Sequence, residues 1–460
     1  MNIKSKKSSR QNLKPLYKLE LSLVKPRKHL VTIKRKIKSK KLKLKYKNFI
    51  LKSKILLIPF VIILICIIIF KLKLNVFTFT HKNIKVNNTT KIESKPFFLK
   101  LNNTNKNYSK TLSLKNTIDD LFNSNFKNNT VLIFEPNNYH YECTPGFAKY
   151  FVDLGYNVDV ILQSFGEDTF CLFEDIKKIK LFIYSNLIQI KKISEKLTLF
   201  FKKYDYILVQ TIDRERKDLY KQLNFFKMNN TFFIFHNIDT ANNMGITRIY
   251  NKNRIWGLGN FSYSIQVNPH YFGKIKFKDK NRITKFFITS TVGRNYQNVI
   301  SVAERLKNEK YNFTIFVSGN CKVFPYNILS ENLKDIITFK YKISYSNLYK
   351  EIEDSDYIII NLDPNIPYNN IYRTVQSTGS AQLSYGFLKP SIINKEFASF
   401  YSMDSDNSFL YNNSNFYEVM REAILLNNEQ YKKMQSSLKK LSDKIYNISL
   451  GNVRTALYSH

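Results

Sequence analysis

The run Ser377-Thr378-Gly379-Ser380 sets three hydroxyls and a glycine directly ahead of an apolar-patterned stretch that ends at Lys389-Pro390. A helix opening on such residues has N–H groups without intrahelical acceptors, and the positive end of its dipole lies there. The chemistry that suits it is anion binding, with phosphate the usual anion. Gly379 lets the backbone come close to a ligand. The same residues also suit an ordinary capped helix. Two other runs hold side chains that can take up a proton. His140 and Glu142 lie within Glu135–Gly146, and His236 and Asp239 lie in His236-Asn237-Ile238-Asp239.

These runs need strands and helices to hold them. The first strand, VLIF, starts at Val131, and a helix follows with Phe147, Tyr150, Phe151 and Leu154 on one face. Gly155 ends it. Then come the strand NVDVIL, the strand KIKLFIYS, a helix around 189–203, YDYILVQT, a helix around 214–227, TFFIFHNI and SYSIQVN. After a lysine-rich connection over 269–281 the alternation resumes. Residues 284–290 read as a strand, 292–295 as a loop, and a helix follows with Val299, Val302, Ala303 and Leu306 inward. NFTIFVSG, IITFKY, the helix YSNLYKEIEDSD, the strand YIIINLDP, the T-G-S helix, the strand SII, NSFLY and a helix around 415–428 complete it. Tyr431, Met434, Leu438, Leu441 and Ile445 give the final segment one apolar face. Alternation of this kind builds a parallel sheet with helices on both faces, and ligands bind beyond the carboxyl ends of its strands.

The expected fold class is therefore α/β with two Rossmann-like domains, over 131–269 and 284–428, followed by a carboxyl-terminal helix over 429–460. Two such halves resemble the GT-B class of nucleotide-sugar glycosyltransferases over roughly residues 131–450. The resemblance rests on the strand–Gly293-Arg294–helix segment, the helix and strand over 348–362, STGSAQLSYGFLKPSII, EPNNYHYECTPGFAKYFVDLGYNVDVIL and HNID. It implies an enzyme whose second half binds a nucleotide-sugar donor and whose first half binds a glycan, protein or lipid acceptor. It puts Arg294, Thr378, Gly379 and Ser380 on the donor diphosphate. It puts Asp363, Arg373, Gln382 and Glu396 at the donor sugar or nucleotide. His140, Glu142, His236 and Asp239 become the candidates for contacting the reacting sugar or deprotonating the acceptor hydroxyl. Such enzymes generally need no bound metal or other cofactor. Many retaining members carry two glutamates seven residues apart at this helix. Here Gln382 and Ser384 stand in that region, and no acid follows until Glu396. That departure keeps two alternatives open: an inactive GT-B-like binding or assembly protein, and a nucleotide-sugar epimerase of the same fold. The pair Asp354-Ser355-Asp356 has metal-site spacing but closes a helix before an apolar strand, so it reads as a turn.

The chain has 460 residues and a net charge of +38, unevenly spread. Residues 1–54 carry 20 Lys and Arg against the single acid Glu20, whereas the 330 residues from 131 onward carry only +11. The basic segment 1–54 lacks apolar periodicity and reads as a disordered cytosolic tail. With few aromatics it offers no stacking platform for single-stranded nucleic acid, and no nucleic-acid partner is expected. Sixteen uncharged residues, Ile55 to Phe70, follow. They span about 24 Å as a helix, and Leu72 and Leu74 extend them toward the roughly 30 Å of a bilayer core. Residues 55–74 are expected to form a transmembrane helix. Eleven Lys and Arg over 34–54 against five over 71–91 put the amino terminus in the cytosol. The resulting single-pass type II protein would sit in the endoplasmic reticulum or Golgi of a eukaryote, or in the inner membrane of a bacterium. Residues 75–130 read as a polar stem, with N-glycosylation sequons at Asn87, Asn88, Asn102, Asn107 and Asn128. Of the four cysteines, Cys66 lies in the apolar run. Cys143, Cys171 and Cys321 have no metal-site spacing, and one bridge among them stays open.

Overall fold

The computed structural model describes residues 116–459 except 125, 164–170, 271–272, 274–275 and 320–321. The basic tail, the apolar stretch 55–74 and the stem up to residue 115 lie outside the described residues. Among the described residues, no helix is long and apolar enough to cross a membrane.

The first half is an eight-stranded sheet of β1 (Asn116–Thr117), β2 (Thr130–Glu135), β3 (Asn157–Gln163), β4 (Ile179–Tyr184), β5 (Tyr206–Val209), β6 (Thr231–Phe235), β7 (Ile255–Gly257) and β8 (Ile265–Gln266). The second is a six-stranded sheet of β9 (Thr284–Ser290), β10 (Phe313–Gly319), β11 (Ile337–Lys340), β12 (Tyr357–Ile360), β13 (Ser391–Asn394) and β14 (Ser408–Tyr411). The helices that matter to the site are α1 (Thr144–Asp153), α2 (Ile238–Asn243), α3 (Tyr296–Asn308), α4 (Tyr345–Asp354), α5 (Gly379–Phe387), α6 (Phe416–Leu425) and α7 (Asn428–Tyr458).

Neighbouring strands pair in parallel throughout both sheets. The reason lies in the strands themselves. Every residue of β2 is buried. Leu132 and Phe134 enter one core layer, and Val131 and Ile133 enter the layer on the opposite face. In β12, Tyr357 and Ile359 face one layer while Ile358 and Ile360 face the other. A strand apolar on both faces needs cover on both, which helix crossovers between parallel strands supply.

The strand orders are β1-β4-β3-β2-β5-β6-β7-β8 and β11-β10-β9-β12-β13-β14. From β2 onward in the first sheet, and through the whole second sheet, the winding direction changes once, between β2 and β5 and between β9 and β12. A crevice opens at the carboxyl ends of strands where that happens. The loops beyond β2, β5, β9 and β12 therefore hold the positions from which a ligand is met.

Local departures from the expected elements have physical causes. Folding begins ahead of the 130 boundary expected for the stem: β1 pairs with β4, and Ile118 and Leu121 are fully buried. Three apolar residues, Ile118, Leu121 and Phe122, cap the sheet edge, a segment too short to show a period. The helix around 189–203 is two pieces, Leu187–Lys192 and Ser194–Phe201. That around 214–227 is Lys217–Gln222 between 3-10 turns, broken where Asn224 takes the left-handed conformation. The three-residue β7 has too little length for alternation to reveal it.

Helix α7 ties the two halves together. It runs 31 residues, about 46 Å. Tyr431 and Met434 join the core of the second half, and Val453, Ala456 and Leu457 join that of the first. Ser449 Oγ accepts from Asn268 N, and Leu457 O accepts from Tyr206 Oη. At the crossing point Gly146 of α1 lies against the chain leaving the first half. A Cβ there would stand 2.5 Å from Pro269 O, so the close approach requires glycine. Asp354 and Asp356 serve this junction. The fully buried Asp356 accepts backbone N–H groups of Asn281 and Lys285 and pairs with Lys278 Nζ at 3.2 Å.

Candidate active site

The two crevices face each other across a cavity of about 310 Å³. Its first-half wall is made by His140, Glu142 and Cys143 at the entrance to α1, by His236 after β6, and by Leu258. The second-half wall includes Thr289 at the end of β9, Thr291 and Arg294 after it, Tyr345, Leu348 and Tyr349 of α4, and the start of α5. The halves touch around it. Ile238 N donates to Val375 O at 2.9 Å, and Tyr345 Oη donates to Glu142 Oε2 at 3.1 Å.

On the second-half side the T-G-S run starts α5 as its spacing predicts, with Thr378 at the N-cap. The ordinary capped helix is not what forms. Thr378 makes no side-chain cap, and its hydroxyl accepts instead from Arg294 Nη2 at 3.1 Å. Among the described residues, Arg294 Nη1 is buried with no hydrogen-bond partner. The guanidinium lies 4.9 Å over the ring of Tyr372. A Cβ built on Gly379 meets no heavy atom within 4 Å, so the space in front of the helix start is open. Ser380 is buried, and its Oγ lies 2.7 Å from that of Thr289. Gln382 is held by its Nε2 bond to Ser377 Oγ, and its buried Oε1 is unpartnered among the described residues. A cation and an uncapped helix start lie side by side at the cavity, a combination whose chemistry suits an anion.

On the first-half side His140 and His236 stack, with ring centroids 4.0 Å apart and an interplanar angle of 16°. His140 takes a left-handed φ of 65°, which turns its ring into the cleft, and its Nδ1 lies 3.4 Å from Glu142 Oε1. Burial together with the neighbouring His140 pushes the His236 pKa well below its ordinary value, so His236 is neutral at pH 7. Burial alone would raise Glu142. The hydrogen bond and charge of His140, with the bond from Tyr345, outweigh it, and the carboxyl stays below its ordinary value.

Four of the expected site residues are placed elsewhere. Asp239 is exposed near the start of α2 and does not line the cavity. The Asp363 carboxylate is taken up by Asn295 Nδ2, Asn365 N and Asn413 Nδ2, which fix the loop after β12. Arg373 and Glu396 pair with each other at 3.0 Å, on a partly exposed face away from the cavity. Charge complementarity between two residues 23 apart was not visible in the chain order.

Sequence reasoning missed Glu135 and Thr211. Glu135 ends β2 and is fully buried, and Thr211 Oγ1 lies 2.6 Å from its Oε2. The same Thr211 oxygen lies 3.3 Å from His236 Nε2. Burial pushes the Glu135 carboxyl up to about 8. The signal available was a lone acid at the end of an otherwise apolar strand.

No family model and no curated protein matches the chain. Among solved structures it is similar to TarM, with a TM-score of 0.51 and 10% identity, over 72% of this chain and 99% of that one. The architecture fits two Rossmann-like domains as in the GT-B class. At this identity the likeness is one of fold. Two further structures align at lower scores. The glycosyltransferase from Rickettsia africae ESF-5 has a TM-score of 0.48 and 15% identity, over 73% of this chain and 99% of that one. Anabaena Alr3699/HepE in complex with UDP and glucose has a TM-score of 0.46 and 12% identity, over 72% and 100%.

Proposed function

We propose that this GT-B-fold protein is a glycosyltransferase that moves a sugar from a nucleotide-sugar donor to a hydroxyl of a glycan, protein or lipid acceptor. The observation that carries the reading is the unpartnered Nη1 of Arg294 beside the uncapped, sterically open start of α5, facing a histidine pair across one cavity. When the bond from the sugar to the diphosphate breaks, negative charge builds on the departing phosphate oxygen. A fixed guanidinium and free N–H groups stabilise that charge without reorganising. The acceptor hydroxyl gives up its proton on the opposite wall, where His140, Glu142 and His236 stand. The unpartnered Gln382 Oε1 supports an accepting role toward a donor hydroxyl. The donor is the only small molecule this chemistry requires.

The test is thermal stabilisation by UDP, GDP and CDP and by the corresponding nucleosides. Arg294→Ala is expected to weaken binding of the diphosphate that stabilises the wild type by about 1.5–3 kcal/mol, the worth of a charge-assisted contact, and to leave the nucleoside unaffected. Equal weakening of both ligands removes Arg294 from the phosphate site. No stabilisation of the wild type by any of the three diphosphates overturns the donor reading.

The apolar stretch 55–74 between basic segments supports a single-pass anchor with the catalytic body on the far side from the cytosol. In sealed microsomes the carboxyl-terminal body is expected to resist added protease until detergent is present. Digestion without detergent reverses the orientation.

A further inference from the structure

We propose that Glu135 is a positioning residue that sets, through the Thr211 hydroxyl, which ring nitrogen of His236 carries the proton, so that His236 meets a ligand in the cleft as an Nδ1–H donor. What that ligand is rests on the glycosyltransferase reading above; the tautomer does not.

Three side chains at the ends of the neighbouring strands β2, β5 and β6 line up to make the relay. Glu135 Oε2, Thr211 Oγ1 and His236 Nε2 follow one another at 2.6 and 3.3 Å. Thr211 holds a φ of 49°, a left-handed conformation that a β-branched residue adopts only under constraint. The constraint is local. Asn137 Nδ2 grips Thr211 O at 2.6 Å, Ile212 N is held by Ile234 O, and Asn137 N is held by Glu135 Oε1. Such strain aims the hydroxyl between the acid and the imidazole.

A threonine hydroxyl has one proton to give. Asn137 N–H occupies Glu135 Oε1, so the neutral acid carries its proton on Oε2, the oxygen 2.6 Å from Thr211 Oγ1, and donates it there; burial, which raises Glu135 to about 8, keeps the acid in that form at pH 7. Thr211 is then free to donate to His236 Nε2. A ring nitrogen that accepts is bare, so the neutral imidazole holds its proton on Nδ1. When Glu135 ionises, its proton passes to solvent and the Thr211 hydroxyl turns to the carboxylate. The Thr211 lone pair then accepts from Nε2–H, and the ring proton moves from Nδ1 to Nε2 through water. No bond between heavy atoms changes.

The groups facing this chain are few. Tyr139, Glu142 and Cys143 ahead of α1, Tyr184 of β4, and Asp213, Arg216 and Tyr220 beyond β5 act on Glu135 or share its surroundings. Burial raises the thiol and the three phenols, and Glu142 is held low. His140 stacks on His236 and acts on it directly.

The test reads the tautomer in the full-length chain, without ligand, from the ring ¹⁵N shifts of its six histidines, with His236→Gln identifying the signal. The wild type is expected to show Nδ1–H at pH 6.5 and to pass to Nε2–H near pH 8. Glu135→Gln should keep Nδ1–H up to pH 9, because its amide donates to Thr211 as the neutral acid does. Thr211→Val, of the same shape, should show Nε2–H at every pH. A wild type with Nε2–H at pH 6.5, or a Glu135→Gln protein that follows the wild-type curve, overturns the proposal. If Thr211→Val does not fold, Glu135→Gln decides alone. A protein that shows this switch yet is stabilised by no nucleoside diphosphate keeps the relay and loses the glycosyltransferase reading.

Discussion

Gly379→Val is expected to abolish nucleotide-dependent stabilisation while the protein stays folded. The two halves of that outcome have separate causes. The fold tolerates the side chain because a Cβ at this position meets nothing within 4 Å and the residue does not use a positive φ. Tyr385 and Phe387 on the buried side of α5, and Ile392 in the following strand, are untouched. On the proposed donor reading the open space is where the helix start meets a phosphate, and an isopropyl group fills it. A ligand at a hundred times its dissociation constant stabilises by about 2.7 kcal/mol, an effect that a melting experiment measures directly. The wild type should show that shift with the cognate nucleoside diphosphate and the variant should show none. A variant that keeps the shift places the phosphates away from α5.

The second large effect is a pH dependence of stability carried by Glu135. Its folded pKa is raised to about 8 from 4.5, so between those values the folded protein holds a proton that the unfolded chain has released. The stability contributed is fully present below about pH 4.5 and is lost as pH rises through 8. A shift of that size corresponds to about 5 kcal/mol between the two ends. Glu135→Gln keeps an acceptor for Asn137 N and a partner for Thr211 but has no proton to lose. The variant should match the wild type at pH 5 and exceed it by several kcal/mol at pH 9. Lys389 works in the opposite direction. Burial holds it down at about 7, so its contribution rises with pH from 7 to 10.5. Because it is common to both proteins, the difference between them isolates Glu135. Denaturant midpoints taken from pH 5 to 9 give that difference, and a flat one would show that Glu135 is ionised in the folded protein.

Both experiments also separate a donor site from a merely structural junction. Arg294, Thr378 and Gly379 stand beyond the ends of the second sheet's strands, and a side chain at Gly379 enters open space rather than a packed layer. Glu135 and Thr211 belong to the first sheet and report on the opposite wall. Loss of donor binding on one side with an unchanged pH profile on the other is the expected pattern for two walls of one cleft.

The sequence by itself determined the parallel sheets, the helix start and the loops that line the cleft. Periodicity is local: VLIF and YIII are apolar on successive residues, which only strands covered on both faces tolerate. The T-G-S run and Arg294 were legible for the same reason, since each follows a strand or opens a helix within a few residues. Only the tertiary structure decided which of the polar residues converge. Thr378 turns its hydroxyl to Arg294, 84 residues earlier, and leaves the helix uncapped. Arg373 and Glu396 satisfy each other, and the Asp363 carboxylate is taken up by Asn295, Asn365 and Asn413, so none of the three lines the cavity. Glu135, Thr211 and His236 come together from the ends of β2, β5 and β6, which are adjacent in the sheet but separated in the chain by 76 and 25 residues. A parallel sheet places the ends of distant strands side by side, and chain order carries no record of which side chain at each end points at which. That is set by backbone conformation at single residues, such as the left-handed Thr211 and His140, and by burial, which turned an acid at a strand end into a neutral group.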